Sequence, residues 1–285
     1  MSAEPTSGSW TPTALPPWRG GPVGASALCV LAPNPGPMTL DGTNTWLLTA
    51  PGAGRGVVID PGPDDEPHLR AVLAAAAERD VRVTQVLLTH HHFDHAAGAR
   101  RFAELTGAPV RALDPAHTLG AQGLVGGEVI EIDGLRVEVV ATPGHTGDSL
   151  CFVLPEQRAV LTGDTVLGRG TTVVAHPDGR LVDYLASLAR LEALAADREL
   201  EQVLPGHGPV LAVPDVAPVE VVRFYLRHRR ERLDQVRLAV AAGARTAIEV
   251  VERVYTDVPR EVWPAAELSV RAQLDYLGLD PEPRS

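Results

Sequence analysis

The segment Thr89-His90-His91-His92-Phe93-Asp94-His95 constrains this chain more than any other. It follows the apolar run Val86-Leu87-Leu88 and opens a helical pattern, so it occupies a strand-to-helix turn. Alternate side chains on an extended backbone point the same way, so His90 and His92 can reach one ion together. Asp94 and His95 fall at the turn into the helix, where they can reach a second ion. His91 points the opposite way and reads as a packing residue. Imidazole and carboxylate are the ligands that zinc and similar divalent ions take.

Three later segments repeat the pattern of one metal-ligating residue just beyond a strand and beside a glycine. They are Thr142-Pro143-Gly144-His145-Thr146, Leu161-Thr162-Gly163-Asp164-Thr165 and Leu204-Pro205-Gly206-His207-Gly208. Glycine permits the close approach that such a turn needs. A single histidine at a strand end is more often a hydrogen-bonded structural group than a ligand. Four such segments in one chain leave little room for that reading. Together they supply His90, His92, Asp94, His95, His145, Asp164 and His207, a set that suits two ions.

The surrounding pattern is a layered α/β one. Short apolar runs bounded by Gly, Pro, Asn or Asp predict strands at 27–32, 44–49, 56–60, 85–89, 109–112, 128–132, 136–142, 149–154, 159–162 and 202–204. Helical spacing predicts helices at 67–79, 95–106 and 182–196. After Pro214 the strand signals stop, and helices are expected at 216–241, 246–254 and 260–277. The expected organisation is an N-terminal arm at 1–21, a catalytic domain at 22–214 and a helical domain at 215–285. Trp10 or Trp18 is expected to pack the arm onto the body.

Composition excludes several classes. Hydrophobic residues make up 45% and charged residues 21%, which is the balance of a globular chain. There is no run of about 18 unbroken apolar residues and no secretory leader pattern, so no membrane role is expected. Cys29 and Cys151 lie in apolar strand-like runs and are expected to be buried and reduced, which favours a cytoplasmic setting. Every one of the 25 basic residues is Arg, and the net charge of −11 supplies no global field for gathering phosphates. The exception is local: Arg223 to Arg232 is strongly basic and reads either as a solvated helix face or as a phosphate-contacting surface. His68, His117 and His176 lack ligand partners and are expected at the surface or in loops.

The order His-x-His-x-Asp-His, then His145, Asp164 and His207, resembles the metallo-β-lactamase superfamily, over about Asn34 to Val213. The resemblance implies an αββα sandwich. It implies that His90, His92 and His145 hold one metal, Asp94, His95 and His207 a second, with Asp164 bridging. Asp60, in Asp60-Pro61-Gly62, resembles the buried aspartate that supports the site from behind. Asn34 to Thr45 and Leu167 to Val173 resemble the β-lactamase-like endoribonucleases, which also carry a C-terminal winged-helix-like domain. Arg169 departs from the acidic residue of that family pattern, and 176–179 reads as a small insertion.

The chemistry then expected is a dinuclear zinc hydrolase, with manganese or iron taking the same ligands. Two such ions lower the pKa of a bridging water, and the hydroxide formed is the expected nucleophile, oriented by Asp94. Cleavage of single-stranded RNA phosphodiesters is the first expectation. The alternative is a small-molecule thioester or ester hydrolase of the glyoxalase II or polyketide thioesterase kind. Asn44, Arg169, Arg227 and Arg230 are the candidate substrate contacts. A non-catalytic binding module is disfavoured by the complete ligand set, and the helical domain is free to act as a lid or a homodimer contact.

Overall fold

The computed structural model describes residues 16–256 and 258–279. Twelve strands form two six-stranded sheets among these residues. The first contains β1 (Gly21–Val23), β2 (Ala27–Leu31), β3 (Asn44–Leu48), β4 (Arg55–Ile59), β5 (Arg82–Leu87) and β6 (Val110–Arg111), paired in chain order. The second runs from β7 (Val129–Ile132) through β8 (Leu135–Ala141), β9 (Leu150–Leu154), β10 (Ala159–Gly163) and β11 (Gln202–Pro205) to β12 (Leu211–Ala212), also paired in chain order.

Side-chain alternation along the strands builds the layers. Trp46, Leu48 and Ile59 of the first sheet meet Val139, Phe152 and Leu161 of the second in the central core. Their neighbours Leu47 and Val58 point outward, onto Leu69 and Val72 of α1 (Glu66–Ala77) and Phe102 of α3 (Ala99–Thr106). Cys151, Val153 and Val160 point outward from the second sheet onto Tyr184, Leu188 and Leu191 of α4 (Leu181–Asp197). A strand covered on both faces reads as a continuous apolar run, which is how these strands appear in the sequence. Each fully buried Leu or Val contributes about 1.5–3 kcal/mol, so the sandwich is held mainly by this double coverage.

The topology brings the glycine-flanked turns to one rim. β4 and β5 are parallel, as are β10 and β11, and β8 runs with β10 because β9 is antiparallel to both. The carboxyl ends of β5, β8, β10 and β11 therefore carry His90, His145, Asp164 and His207, and that of β4 carries Asp60. Crevices beyond the carboxyl ends of strands are where open α/β sheets bind ligands.

The expected helix at 95–106 is two helices, α2 (Phe93–Ala96) and α3. The break at Gly98 has a physical cause. The Gly98 N–H donates to the Gly62 carbonyl at 3.0 Å, and a Cβ there would sit 2.7 Å from the Pro63 carbonyl oxygen. The Gly62 N–H in turn donates to the His95 carbonyl at 3.1 Å, which ties the loop after Asp60 to the ligand helix. β1 and β12 lie outside the strands expected from sequence; both are short edge strands with little pattern to read.

Three helices follow: α5 (Pro218–Ala241), α6 (Ala247–Val254) and α7 (Trp263–Leu277). The first half of α5 packs Val221, Val222 and Tyr225 against α4, and its second half packs Val236 and Ala239 against Val250, Val251 and Val270 of α6 and α7. The arm expected at 1–21 lies outside the described residues up to 15, and Trp10 with it. Trp18 packs onto the central core and donates from Nε1 to Asn44 Oδ1 at 2.9 Å. Cys29 and Cys151 are buried and free. No helix among the described residues is long and apolar enough to cross a membrane.

Candidate metal centre

The rim residues converge because each imidazole is anchored from behind. Asp60 is fully buried, with a left-handed φ of 50° that turns its carboxylate back under the ligand loop. Its Oδ1 accepts from the Thr89 N–H at 2.7 Å, and its Oδ2 accepts from Thr89 Oγ1 at 2.6 Å and from His95 Nδ1 at 2.9 Å. With its proton on Asp60, Thr89 Oγ1 accepts from His90 Nδ1 at 2.9 Å. His145 Nδ1 donates to the Val173 carbonyl at 2.6 Å, and His207 Nδ1 donates to the Gly42 carbonyl at 3.1 Å. In each neutral ring the proton is thereby fixed on Nδ1, and the lone pair is left on Nε2.

Those lone pairs face one another. His92 Nδ1 stands 3.1 Å from His90 Nε2 and 3.0 Å from His145 Nε2. His95 Nε2 stands 3.2 Å from His207 Nε2. Two nitrogens bound tetrahedrally to one zinc at about 2.0–2.1 Å lie roughly 3.4 Å apart, so both spacings fit a shared ion. Asp94 Oδ2 lies 3.3 Å from His95 Nε2 and 3.1 Å from His207 Nε2, and accepts from Thr43 Oγ1 at 3.0 Å. Asp164 touches both groups: its Oδ1 is 3.4 Å from His95 Nε2, and its Oδ2 is 3.3 Å from His207 Nε2 and 3.7 Å from His145 Nε2. Asp164 Oδ1 is buried and accepts no hydrogen bond. A buried carboxylate oxygen without a donor, among imidazole lone pairs, is the donor set of a metal site.

Glycine makes the approach possible. A Cβ on Gly206 would stand 2.5 Å from Asp164 Oδ1 and 2.8 Å from His95 Cε1, and a Cβ on Gly163 would meet Thr89 Oγ1 at 2.6 Å.

The electrostatics divide the cluster. Burial first, and then the neighbouring rings, hold His90 well below the usual imidazole range and bring His92 down to about 4. His145 is also lowered by burial, although Asp164 opposes this. Burial works against protonation of His95 and His207 as well, but Asp164 and Asp94 outweigh it. They push His95 well up and His207 to about 9. Burial raises both carboxylates, yet His95 and His207 hold Asp94 and Asp164 below the usual carboxylate range. One half thus offers neutral nitrogens, and the other half retains positive charge between two carboxylates, where a divalent cation would stand.

All seven sequence-derived ligand residues and Asp60 meet at this rim, in overlapping groups of His90, His92, His145 and Asp164 and of Asp94, His95 and His207. The other sequence candidates lie elsewhere. Asn44 is fully buried, and its amide donates to the Pro205 and Gly208 carbonyls at 2.9 Å each, so it buttresses the His207 turn from within the fold. Arg169 pairs with Asp41 and donates to the Pro16 carbonyl. Arg227 and Arg230 are exposed on α5.

His91 is half-buried, bonded through Nδ1 to Asp148 Oδ1 at 2.8 Å and stacked on His117 with centroids 5.9 Å apart. His68 is not at the surface as expected. It is 3% exposed, and its Nε2 hydrogen-bonds Thr45 Oγ1 at 2.9 Å, because it lies on the inward face of α1. His117 and His176 are both half-buried. Sequence reasoning missed Thr89, which links Asp60 to His90; a polar residue closing an apolar strand just before a ligand was the available signal. The Gly42 and Val173 carbonyls left no signal, because any residue type supplies a carbonyl.

Comparison with known proteins agrees with this geometry. Residues 38–207 match the family model of the metallo-beta-lactamase superfamily, and residues 246–278 match that of the beta-lactamase associated winged helix domain. The chain is 38% identical over 251 residues to an atrochrysone carboxyl ACP thioesterase of Aspergillus fumigatus, covering 82% of this chain and 74% of that one. It is 32% identical over 261 residues to a beta-lactamase-like protein 2 homolog of Caenorhabditis elegans, covering 88% and 83%. A metallo-beta-lactamase family protein from Thermus thermophilus superposes with a TM-score of 0.72 at 25% identity, covering 89% of this chain and 93% of that one. This chain belongs to the metallo-beta-lactamase superfamily, as a hydrolase of that fold with a beta-lactamase-associated winged helix domain toward its C-terminal end.

Proposed function

We propose that the chain is a dinuclear-metal hydrolase of acyl thioesters. In this reading His90, His92 and His145 hold one ion, Asp94, His95 and His207 hold the other, and Asp164 is shared. Asp60 fixes His95 and, through Thr89, His90. The nitrogen and carboxylate donors suit zinc, and manganese or iron takes the same set. Two such ions, when bound, supply Lewis acidity and lower the pKa of water toward neutrality.

The chain's own residues do the rest. Asp94 is the most accessible carboxylate of the cluster, with 28% of its side chain exposed against 12% for Asp164, and it orients the attacking water. In hydrolysis a C–O bond forms, the C–S bond breaks, and the departing sulfur leaves as a thiol after taking up a proton. A thiolate is a good leaving group, so no dedicated acid is needed behind it.

The observation that carries the substrate class is the fate of the α5 arginines. Arg223 pairs with Glu192 and Glu220, Arg229 is buried against the Thr172 carbonyl, and Arg232 donates to the Val254 carbonyl. A helix whose cations are already paired with glutamates or bound to backbone carbonyls is a poor phosphate track. The 38% identity to a thioesterase supports the same reading. Single-stranded RNA remains the second reading, favoured by the exposed Arg227 and Arg230.

One metal-loaded preparation, assayed in parallel on an acyl thioester and on a labelled single-stranded RNA, tests the choice. Thioester turnover indifferent to salt, with RNA left intact, is expected. RNA cleavage that weakens steeply with salt, with the thioester untouched, overturns it.

A further inference from the structure

Beside the metal pocket, between the loop that follows Asp164 and the C-terminal helices, lies a cavity of about 190 Å³. Met38 and Val173 line one side; Tyr255, Val258, Val262 and Ala265 line the other. A dry apolar cavity of about 150 Å³ is enough for a benzene ring, so this one takes a single ring or an aliphatic segment of similar bulk.

Two bonds place the cavity next to the metal pocket. The Val173 carbonyl accepts from His145 Nδ1, and Thr172 Oγ1 donates to the Asp164 carbonyl. Residues 172 and 173 are thus a shared wall.

The cavity also has a polar lining, from Thr171, Thr172, His228, Arg229, Arg232 and Ser269. Arg229 lines it and is 4% exposed. Its Nη2 donates to the Thr172 carbonyl, and its guanidinium lies 5.0 Å over the Tyr184 ring. Its Nε–H is buried without a hydrogen-bond acceptor, and no carboxylate lines the cavity among the described residues. A buried guanidinium donor left open beside a cavity is completed by an oxygen that a ligand brings.

We infer that this cavity receives the acyl half of the thioester, and that the acyl group it selects is ring-sized and carries an oxygen that accepts from Arg229. The inference rests on the thioester reading above and adds the class of acyl group. It assigns the C-terminal domain a role in selectivity, since Tyr255, Val258, Val262 and Ala265 all belong to it.

The test compares acetyl and 2-hydroxybenzoyl thioesters of N-acetylcysteamine on metal-loaded protein. Alongside, calorimetry follows 2-hydroxybenzoate binding to the metal-free protein. Ala265→Phe fills the cavity from α7, and Val262→Phe fills it from the preceding turn should the first variant fail to fold. The expected result is a wild-type kcat/KM at least tenfold higher for the aromatic substrate. In the variant that ratio falls at least tenfold, metal content stays the same, and 2-hydroxybenzoate binding weakens at least tenfold. A ratio that does not move, or carboxylate binding unchanged in a folded variant, overturns the inference while leaving the thioester reading in place. Failure of the wild type to hydrolyse either thioester, with carboxylate binding still lost in the variant, removes the thioester reading and keeps the ligand class.

Discussion

The metal pocket and helix α5 both concentrate ionisable side chains, but, Arg229 apart, they leave them in opposite states. In the pocket, His95 and His207 turn Nε2 toward each other at 3.2 Å, and Asp164 Oδ1 has no donor. On α5, Arg223 pairs with two glutamates and Arg232 with a backbone carbonyl and the Tyr255 ring. Charge alone does not mark a functional site. Buried polar atoms held fast from behind and unsatisfied in front do, because folding tolerates them only where something else completes them.

The largest effect is expected from Asp164→Ala. Asp164 lies against the Nε2 atoms of His95 and His207 on one side and of His145 on the other, so its removal should cost both metal retention and turnover. Several kcal/mol of lost transition-state stabilisation is about a thousandfold in kcat. Metal analysis and steady-state kinetics on the purified variant check this. Full metal content with kcat within tenfold of wild type would mean that Asp164 is structural.

Asp60→Asn comes next. The amide keeps the size but loses the charge and one acceptor, so His95 and the Thr89–His90 relay lose their common anchor. Partners of this kind are worth about 10–100-fold in metal affinity. A competitive chelator titration reads it. If affinity does not change, the tautomers are set without Asp60.

This contrast also explains what was legible beforehand. The candidate ligands and their strands stood out because a metal site needs particular side chains, and because His90, His145, Asp164 and His207 each follow an apolar run, the last three directly after a glycine. The double-faced burial of β3, β4 and β10 shows in the apolar runs 46–48, 57–59 and 159–161. The anchors at Gly42 and Val173 act through carbonyls and have no side-chain signature. The break between α2 and α3 depends on a contact between Gly98 and the loop at Gly62 and Pro63, which local spacing does not encode. On α5, spacing identified a helix, but whether Arg229 faced water or the core depended on where α4 lay.

Acidity separates the two halves of the pocket in the metal-free protein. His207, raised to about 9, contributes stability that is full below its unfolded value near 6.5 and is lost as pH rises through 9. His92, lowered to about 4, acts the other way: stability is lost as pH falls from 6.5 toward 4, because the unfolded chain takes up the proton first. Metal-free protein should therefore melt highest near pH 6.5 and lower at both 5 and 9. Metal-loaded protein should gain rather than lose between 6.5 and 9, because ions compete with protons for the same nitrogens. At about 2–4 °C per kcal/mol for a chain of this size, the difference is visible in melting curves. Parallel curves for the two forms would mean that these imidazoles do not meet the ions.

The smallest effect is expected on the helix. Arg227 and Arg230 are exposed, and neither forms an ion pair among the described residues. Replacing both with Ala removes two solvated charges, and surface changes of this kind are worth within about 0.5 kcal/mol each. If thioesters are the substrate, kcat/KM should stay within twofold of wild type and show no new salt dependence. If single-stranded RNA is the substrate, these two are the cations that α5 still has to offer. The double variant would then bind RNA more weakly regardless of sequence, and its salt slope would drop by about 0.7 for each phosphate no longer neutralised. The same pair of substitutions therefore does nothing under one reading and has a defined signature under the other. A salt-slope change would reopen the helix as a binding surface even though its other arginines are held by carboxylates or backbone carbonyls.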